Sequence, residues 1–131
     1  MTELIDLRHV EDIVKARSTV RDHSQKLGFG LVDQTRIVTA ASELARNTIE
    51  HGGGGFLQIM IIDNMNKVGI NLVFEDRGKG IDNIELALSG GYSTGSGLGL
   101  GLKGSKQLMH DFEINSKHGT GTRVSVTRWK P

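Results

Sequence analysis

Residues 33–55 read DQTRIVTAASELARNTIEHGGGG, and they contain the clearest helix in the 131-residue sequence. Asp33 stands where an N-cap is expected, because its side chain can accept a hydrogen bond from a free backbone N–H of the first turn. Apolar residues recur every three or four positions and stop before the four glycines, which is typical of an amphipathic helix with one face on a core. These residues are Ile37, Ala40, Ala41, Leu44, Ala45, Thr48 and Ile49.

The segment that follows this helix predicts an antiparallel hairpin. Residues 56–62 and 68–75 are rich in branched apolar side chains, and the residues between them are polar and typical of a turn. Asp76 falls at the end of the second strand. A carboxylate is thus expected at one edge of the predicted sheet.

The remaining segments complete the predicted order of elements. Residues 4–7 predict an opening strand, and residues 10–27 predict a helix that Gly28 would end. Residues 77–101 are dense in glycine, serine and asparagine, and they predict a mobile loop with one helical turn at 84–88. A helix over 103–111 and strands at 112–116 and 122–128 follow.

This order predicts an α/β two-layer sandwich, with helices on one face of a mixed, mostly antiparallel sheet. The length predicts a single domain over residues 1–131. A ligand site is expected between the two layers, beneath the long loop.

The composition narrows the functional classes. The net charge is +1, there is no cysteine, and the apolar runs are too short to span a bilayer. We therefore expect a cytoplasmic protein that binds neither nucleic acid nor a membrane, without disulfides or thiolate-bound zinc.

Glu43 and Asn47 are four residues apart on the long helix, so both project from one face, beside the apolar stripe. A carboxylate and an amide there suit a hydrated magnesium ion and a proton acceptor. An ordinary solvated helix surface gives the same pattern. Asp76, Gly78 and Gly80 follow a strand, where a carboxylate can accept from an amino group while a flat ring approaches the backbone, although a plain turn fits as well.

Gly97, Gly99 and Gly101 alternate with leucines before the predicted helix at 103–111. Backbone N–H groups at such a place can bind phosphate, and Lys103 adds a positive charge. A dinucleotide-binding loop is excluded because no strand precedes these glycines. Thr122 follows the turn at 119–121, where its hydroxyl can contact a ligand or cap the turn.

Taken in order, four motifs resemble those of the GHKL superfamily of ATPases and kinases, which includes gyrase, Hsp90, histidine kinases and MutL. The motifs are ELARN at 43–47, DRGKG at 76–80, GLGLGL at 97–102 and GTGT at 119–122. Within that superfamily, GYSTG at 91–95 and KQLM at 106–109 are similar to the anti-sigma-factor serine kinases, especially the switch kinases of the stressosome.

The resemblance implies a role for each motif in binding Mg-ATP. Asn47 would hold Mg²⁺, Asp76 would bind the adenine amino group, and Glu43 would be the general base that prepares a serine. Thr122 would support Asp76. The pocket floor and the phosphate-binding lid would be formed by Gly78, Gly80 and Ile81, and by Gly97, Leu98, Gly99, Leu100, Gly101 and Lys103.

The resemblance also implies partners. The expected substrate is a serine of a STAS-domain protein, and a phosphatase activated by binding is the expected second partner. A regulator that binds without phosphorylating, such as an anti-sigma factor, is the chief alternative. A detached histidine-kinase catalytic domain and a fragment of a gyrase-like ATPase are the others.

Overall fold

The computed structural model describes residues 2–89 and 98–131. Five strands in this part form one sheet, namely β1 (Thr2–Leu7), β2 (Gly55–Asn64), β3 (Lys67–Asp76), β4 (Asp111–Lys117) and β5 (Gly121–Trp129). Their spatial order is β1-β2-β3-β5-β4, and every neighbouring pair is antiparallel. The helices are α1 (Val10–Lys26), α2 (Leu31–Glu50), α3 (Ile84–Leu88) and α4 (Leu98–Leu108).

The hydrophobic core lies between the helices and one face of the sheet. The stripe predicted for α2 is buried, with only Ile49 partly covered, and it joins the inward side chains of the strands in one cluster. The predicted α/β two-layer sandwich is confirmed, with an antiparallel sheet where a partly mixed one was expected. In the described residues, no helix is long and apolar enough to cross a membrane.

The start of α2 differs from the prediction. Gly30 is the N-cap residue, and Asp33 lies inside the first turn, so the prediction that Asp33 caps the helix is wrong. Gly30 has an extended backbone and open space around it, so the helix can begin at Leu31. The Asp33 carboxylate instead accepts hydrogen bonds from Arg36 and Arg128, each at 2.9 Å. It therefore ties α2 to β5.

Helix α4 also differs from its prediction, because it spans Leu98–Leu108 and leaves Asp111 to β4. Leu102 and Ser105 are fully buried on its inner side. Alternating glycines favour a loop by intrinsic propensity, but packing of this helix against α2 outweighs that preference. Leu98, Gly99, Leu100 and Gly101 form the first turn of a helix, and the prediction that they belong to a loop is wrong.

One end of the sheet collects the segments that carry the sequence motifs. Gly55 pairs with Asp76, and Glu75 pairs with Arg123. Lys117 pairs with Gly121 across the last hairpin. Because neighbouring strands run in opposite directions, the end of β3, the start of β5 and the chain that leaves α2 meet at this edge.

Candidate functional site

Asp76 lies at this edge with a half-buried side chain. Its Oδ1 atom accepts from the backbone N–H groups of Gly78 at 2.9 Å and Thr122 at 3.3 Å. Burial raises the pKa of the Asp76 carboxyl above its ordinary value, although the two N–H groups act in the opposite direction. No donor in the described residues reaches Oδ2, so this oxygen can accept from a ligand.

The backbone packs against Asp76 so closely that side chains would not fit. A Cβ atom on Gly52 would overlap the Asp76 carboxyl group, and one on Gly78 would lie 2.8 Å from the carbonyl oxygen of Gly52. Gly121 adopts φ +104°, and a Cβ there would overlap the carbonyl oxygen of Asp76. These glycines form a tight backbone wall beside the Asp76 carboxyl group, where only residues without a side chain fit.

Ser116 joins the residues around Asp76, and the sequence reasoning missed it. Its Oγ atom accepts from the Ile81 N–H at 2.7 Å and lies 2.8 Å from the Thr122 hydroxyl. It also donates to the carbonyl oxygen of Gly121 at 3.2 Å. The alternation of Phe112, Ile114 and Ser116 along β4 was the available signal, since it places a serine on the inner face.

The loop after Asp76 is fastened to the β4–β5 hairpin. The Gly119 N–H donates to the carbonyl oxygen of Lys79 at 2.7 Å, and His118 Nδ1 lies 2.8 Å from an Asp82 carboxylate oxygen. Gly80 has φ +81° and passes directly over the Lys117 carbonyl group. The structure therefore holds Gly78, Gly80 and Ile81 beside Asp76 and Thr122, as one group.

Asn47 lies on α2 under the first turn of α4. Its Nδ2 atom is buried and has no hydrogen-bond acceptor in the described residues. A Cβ atom on Gly101 would lie 3.0 Å from this nitrogen. A buried polar atom without a partner is costly, so this amide is suited to a polar ligand that enters between α2 and α4.

Glu43 is one turn before Asn47, at the solvent side of the same helix. Its side chain is 40% exposed, and its Oε1 atom lies 3.4 Å from Nη1 of Arg46. The carboxylate can reach a group that approaches from solvent while Asn47 faces α4. The pairing gives Arg46 a contact that the sequence did not predict.

The other predicted residues lie on or beside α4. Leu98, Gly99, Leu100 and Gly101 make its first turn, and Lys103 is exposed one turn further along the chain. Gly97 lies outside the described residues, as does the motif at 91–95. Two clefts of about 520 and 590 Å³ lie at the opposite end of the sheet and contain none of the predicted site residues.

Residues 32–131 match the model of the histidine kinase-, DNA gyrase B- and HSP90-like ATPases. The matched residues extend from α2 to β5, and they include both Asn47 and Asp76. The chain belongs to this ATPase family. It is an ATP-binding domain.

Two similar proteins of this family are close to the chain in length. The serine/threonine-protein kinase RsbT of Bacillus subtilis is 45% identical over 118 residues, which cover 90% of this chain and 89% of RsbT. An anti-sigma F factor of a Thermoanaerobacter species is 30% identical, with 98% of this chain and 93% of the factor covered. The resemblance to the GHKL superfamily and its anti-sigma-factor kinases is thus confirmed.

Solved structures support the fold of this ATPase family. The RsbU and RsbW domains of a Mycobacterium tuberculosis protein match all of this chain with a TM-score of 0.67 and 20% identity, over 33% of their longer chain. The SiaB–SiaC complex of Pseudomonas aeruginosa matches 99% of this chain with a TM-score of 0.55 and 12% identity. At these identities the likeness concerns the fold.

The residues of the site fit a magnesium-bound nucleotide. In the described residues the buried Asn47 Nδ2 atom has no acceptor, which suits a phosphate oxygen, and the oxygen of the same carboxamide is a ligand type that magnesium accepts. In the described residues, no three His, Asp or Glu side chains are grouped to hold a metal by themselves. A magnesium ion that binds through phosphate oxygens and few protein ligands is compatible with that arrangement.

Proposed function

We propose that this protein is a serine/threonine kinase of the RsbT type, which phosphorylates a serine of a STAS-domain protein and regulates signalling by exchanging partners. The observation that carries the proposal is the 45% identity to RsbT over nine-tenths of the chain. The half-exposed carboxylate of Glu43, one helical turn from the buried Asn47 amide, supports it because a kinase needs a base beside its nucleotide.

In this proposal the two halves of the site hold opposite ends of ATP. Asp76 accepts a hydrogen bond from the adenine amino group through Oδ2, and Thr122 supports that carboxylate. The floor of the base pocket consists of Gly78, Gly80 and Ile81. Asn47 holds magnesium, which supplies positive charge to the phosphates when bound.

The phosphates are proposed to lie at the first turn of α4. Backbone N–H groups of a first helical turn have no partner within the helix and favour an anion. The residues assigned to this role are Gly97, Leu98, Gly99, Leu100, Gly101 and Lys103. The close packing of Gly101 on Asn47 supports the assignment, because it places that turn beside the proposed magnesium ligand.

Glu43 is proposed as the general base. It takes the proton of the incoming serine hydroxyl while the serine oxygen bonds to the γ-phosphorus, and the bond from the γ-phosphorus to the β,γ-bridging oxygen breaks, so that ADP leaves with that electron pair. Its exposure allows a serine on another protein to reach it. Arg46 Nη1 lies 3.4 Å from Glu43 Oε1 on the solvent side of α2.

The partner is proposed to be a STAS-domain protein of a stressosome-like assembly, with a phosphatase as a second partner that is activated by binding. Residues 1–131 would act as a single domain. The compartment that we propose is the cytoplasm, where the ATP for this transfer is available.

A second candidate function is a regulator that binds ATP and a partner without transferring phosphate. The anti-sigma F factors favour it, since several are about 30% identical to the chain, including those of Thermoanaerobacter and Caldanaerobacter. The two functions differ in one measurable property, the transfer of label to the partner.

The test incubates the purified protein with magnesium, γ-labelled ATP and a candidate STAS domain. We expect label on a serine of the partner. Glu43→Gln should slow transfer by about 10²- to 10⁴-fold with unchanged ATP affinity, the scale of general-base catalysis. Glu50→Gln is the matched control, because Glu50 is an exposed glutamate at the end of the same helix.

The other outcomes of the label-transfer test distinguish the alternative functions. Tight partner binding without label transfer supports the binding-only regulator. Label on histidine supports a histidine-kinase activity. Equal transfer by the Glu43→Gln protein and the wild type would refute the role of Glu43 as the base.

A further inference from the structure

We propose that Ser116 is a positioning residue that selects adenine over 6-keto purines, because it fixes the direction of the Thr122 hydroxyl. The inference rests on the proposed function only in that the Asp76 pocket receives the base of ATP. The inference goes beyond the proposed function by assigning the selectivity of that pocket to a residue of β4. The Ser116 Oγ atom has more hydrogen-bond partners than protons.

The Ser116 hydroxyl has three partners and one proton. The Ile81 N–H at 2.7 Å can only donate to Oγ, and the Gly121 carbonyl at 3.2 Å can only accept from it. In the arrangement that makes all three contacts hydrogen bonds, the Ser116 proton goes to the Gly121 carbonyl oxygen. The third contact, 2.8 Å to Thr122 Oγ1, is then a hydrogen bond only if Thr122 donates.

This direction leaves Thr122 without a proton for a ligand. Its Oγ1 atom can only accept from the pocket side, since its hydrogen points to Ser116. The Thr122 backbone N–H is also used, because it donates to Asp76 Oδ1 at 3.3 Å. The Thr122 Oγ1 atom therefore offers a ligand only lone pairs and no proton.

Asp76, which binds the Thr122 backbone N–H, also presents an acceptor. Oδ1 already accepts from Gly78 and Thr122, and no donor in the described residues reaches Oδ2. Two neighbouring acceptors suit an exocyclic amino group, which has two N–H bonds. A keto oxygen at the same position would face lone pairs on both sides and would leave them unpaired, which costs affinity.

In this proposal Ser116 determines the direction in which the Thr122 hydroxyl donates, and it does not contact the ligand itself. Without its hydroxyl, Thr122 could turn its proton toward the base and donate to a keto oxygen. The loss would also release the Ile81 N–H, which ties the loop after Asp76 to β4. A loosened loop weakens every purine nucleotide alike, whereas a reversed hydroxyl changes the ratio between two bases.

The experiment measures the dissociation constants of ADP and inosine diphosphate with magnesium by calorimetry. These nucleotides differ at position 6 of the base, where an amino group is replaced by a keto group. We expect the wild type to prefer ADP and Ser116→Ala to reduce that preference by about tenfold, the scale of one hydrogen bond. Ser116→Thr keeps the hydroxyl and should restore the preference.

A double-mutant cycle separates this role from a structural one. Thr122→Val removes the hydroxyl on which Ser116 acts, so Ser116→Ala should not change the ratio further in that background. Ser125→Ala is the matched control, because Ser125 is on the outer face of β5 and contacts Asn71 at 3.0 Å. It should leave both dissociation constants unchanged.

Three results would overturn the inference. An unchanged ratio in a folded Ser116→Ala protein, with both constants raised equally, would show a structural role alone. A further change of the ratio in the Thr122→Val background would show that Ser116 does not act through Thr122. A wild type that binds neither nucleotide would refute both the selectivity and the proposed kinase, whereas the first two results leave the kinase proposal intact.

Discussion

The Asp76 carboxylate accepts two backbone N–H groups through Oδ1 and leaves Oδ2 for the ligand. We predict that Asp76→Asn folds normally but does not bind nucleotide. The amide oxygen can keep both backbone hydrogen bonds, while an NH₂ group replaces Oδ2 and would point its hydrogens at the adenine amino group. Calorimetry with ADP and thermal unfolding measure the two properties separately, and retained ADP affinity would contradict the assignment.

The raised pKa of Asp76 gives a second prediction at the residue scale. Burial stabilises the protonated form, so this carboxyl gains its proton at a higher pH than an exposed aspartate. Binding requires the charged form, and nucleotide affinity should therefore fall as the pH falls from neutral through the raised pKa. The free energy of unfolding of the nucleotide-free protein should change in the opposite direction and rise as the pH falls, because protonation removes the cost of burying the charge.

Dissociation constants for ADP, measured from neutral pH down to the lowest pH at which the protein stays folded, test this dependence. Thermal unfolding of the nucleotide-free protein over the same range gives the stability at each pH. An affinity that stays constant through this range would contradict a role for the ionised Asp76 carboxylate.

At the scale of elements, α4 offers a matched pair of glycines. A Cβ atom on Gly101 would lie 3.0 Å from Asn47 Nδ2, whereas one on Gly104 would meet nothing within 4 Å. Gly104→Ala should stabilise the protein by about 0.5–1 kcal/mol with unchanged nucleotide affinity, because alanine favours a helix interior. Gly101→Ala should displace Asn47 and weaken binding of Mg-ATP.

Chemical denaturation and calorimetry on both variants test this pair. Equal affinities for the two variants would show that the contact between α2 and α4 does not shape the site. A loss of stability in Gly104→Ala would contradict the position of this glycine in an open part of the helix.

The elements also show where sequence reasoning succeeds. The apolar stripe of α2 and the strand that ends at Asp76 follow from short-range periodicity, and both are present in the structure. The first turn of α4 packs closely on Asn47 at Gly101, far away in the chain, and intrinsic propensity gives no sign of this contact. The role of Ser116 likewise requires β4, β5 and the loop at Ile81 to meet.

At the scale of the whole molecule, Arg128 on β5 and Asp33 on α2 join the two layers at the end away from Asp76. Their side chains are 14% and 16% exposed, and Arg128 also donates to the Leu108 carbonyl at 3.2 Å. We predict that Arg128→Ala lowers the free energy of unfolding by about 1–3 kcal/mol, because it leaves polar groups without partners. Nucleotide affinity should not change.

Arg36→Ala is the control for this prediction. Arg36 binds the same carboxylate at 2.9 Å, but its side chain is 46% exposed, so its loss should change stability by less than about 1 kcal/mol. Urea unfolding measures both variants. Equal changes in the free energy of unfolding for the two substitutions would contradict a stabilising role of the buried Arg128–Asp33 pair between the layers.

The central claim is that one Mg-ATP molecule joins the two halves of the site, with its base at Asp76 and its phosphates at Asn47. A crystal structure with magnesium and a non-hydrolysable ATP analogue tests it most directly. We predict the 6-amino group of the base at Asp76 Oδ2, and magnesium at the Asn47 amide below the first turn of α4. An analogue bound elsewhere, or protein side chains filling the space between Asn47 and Asp76, would contradict the account.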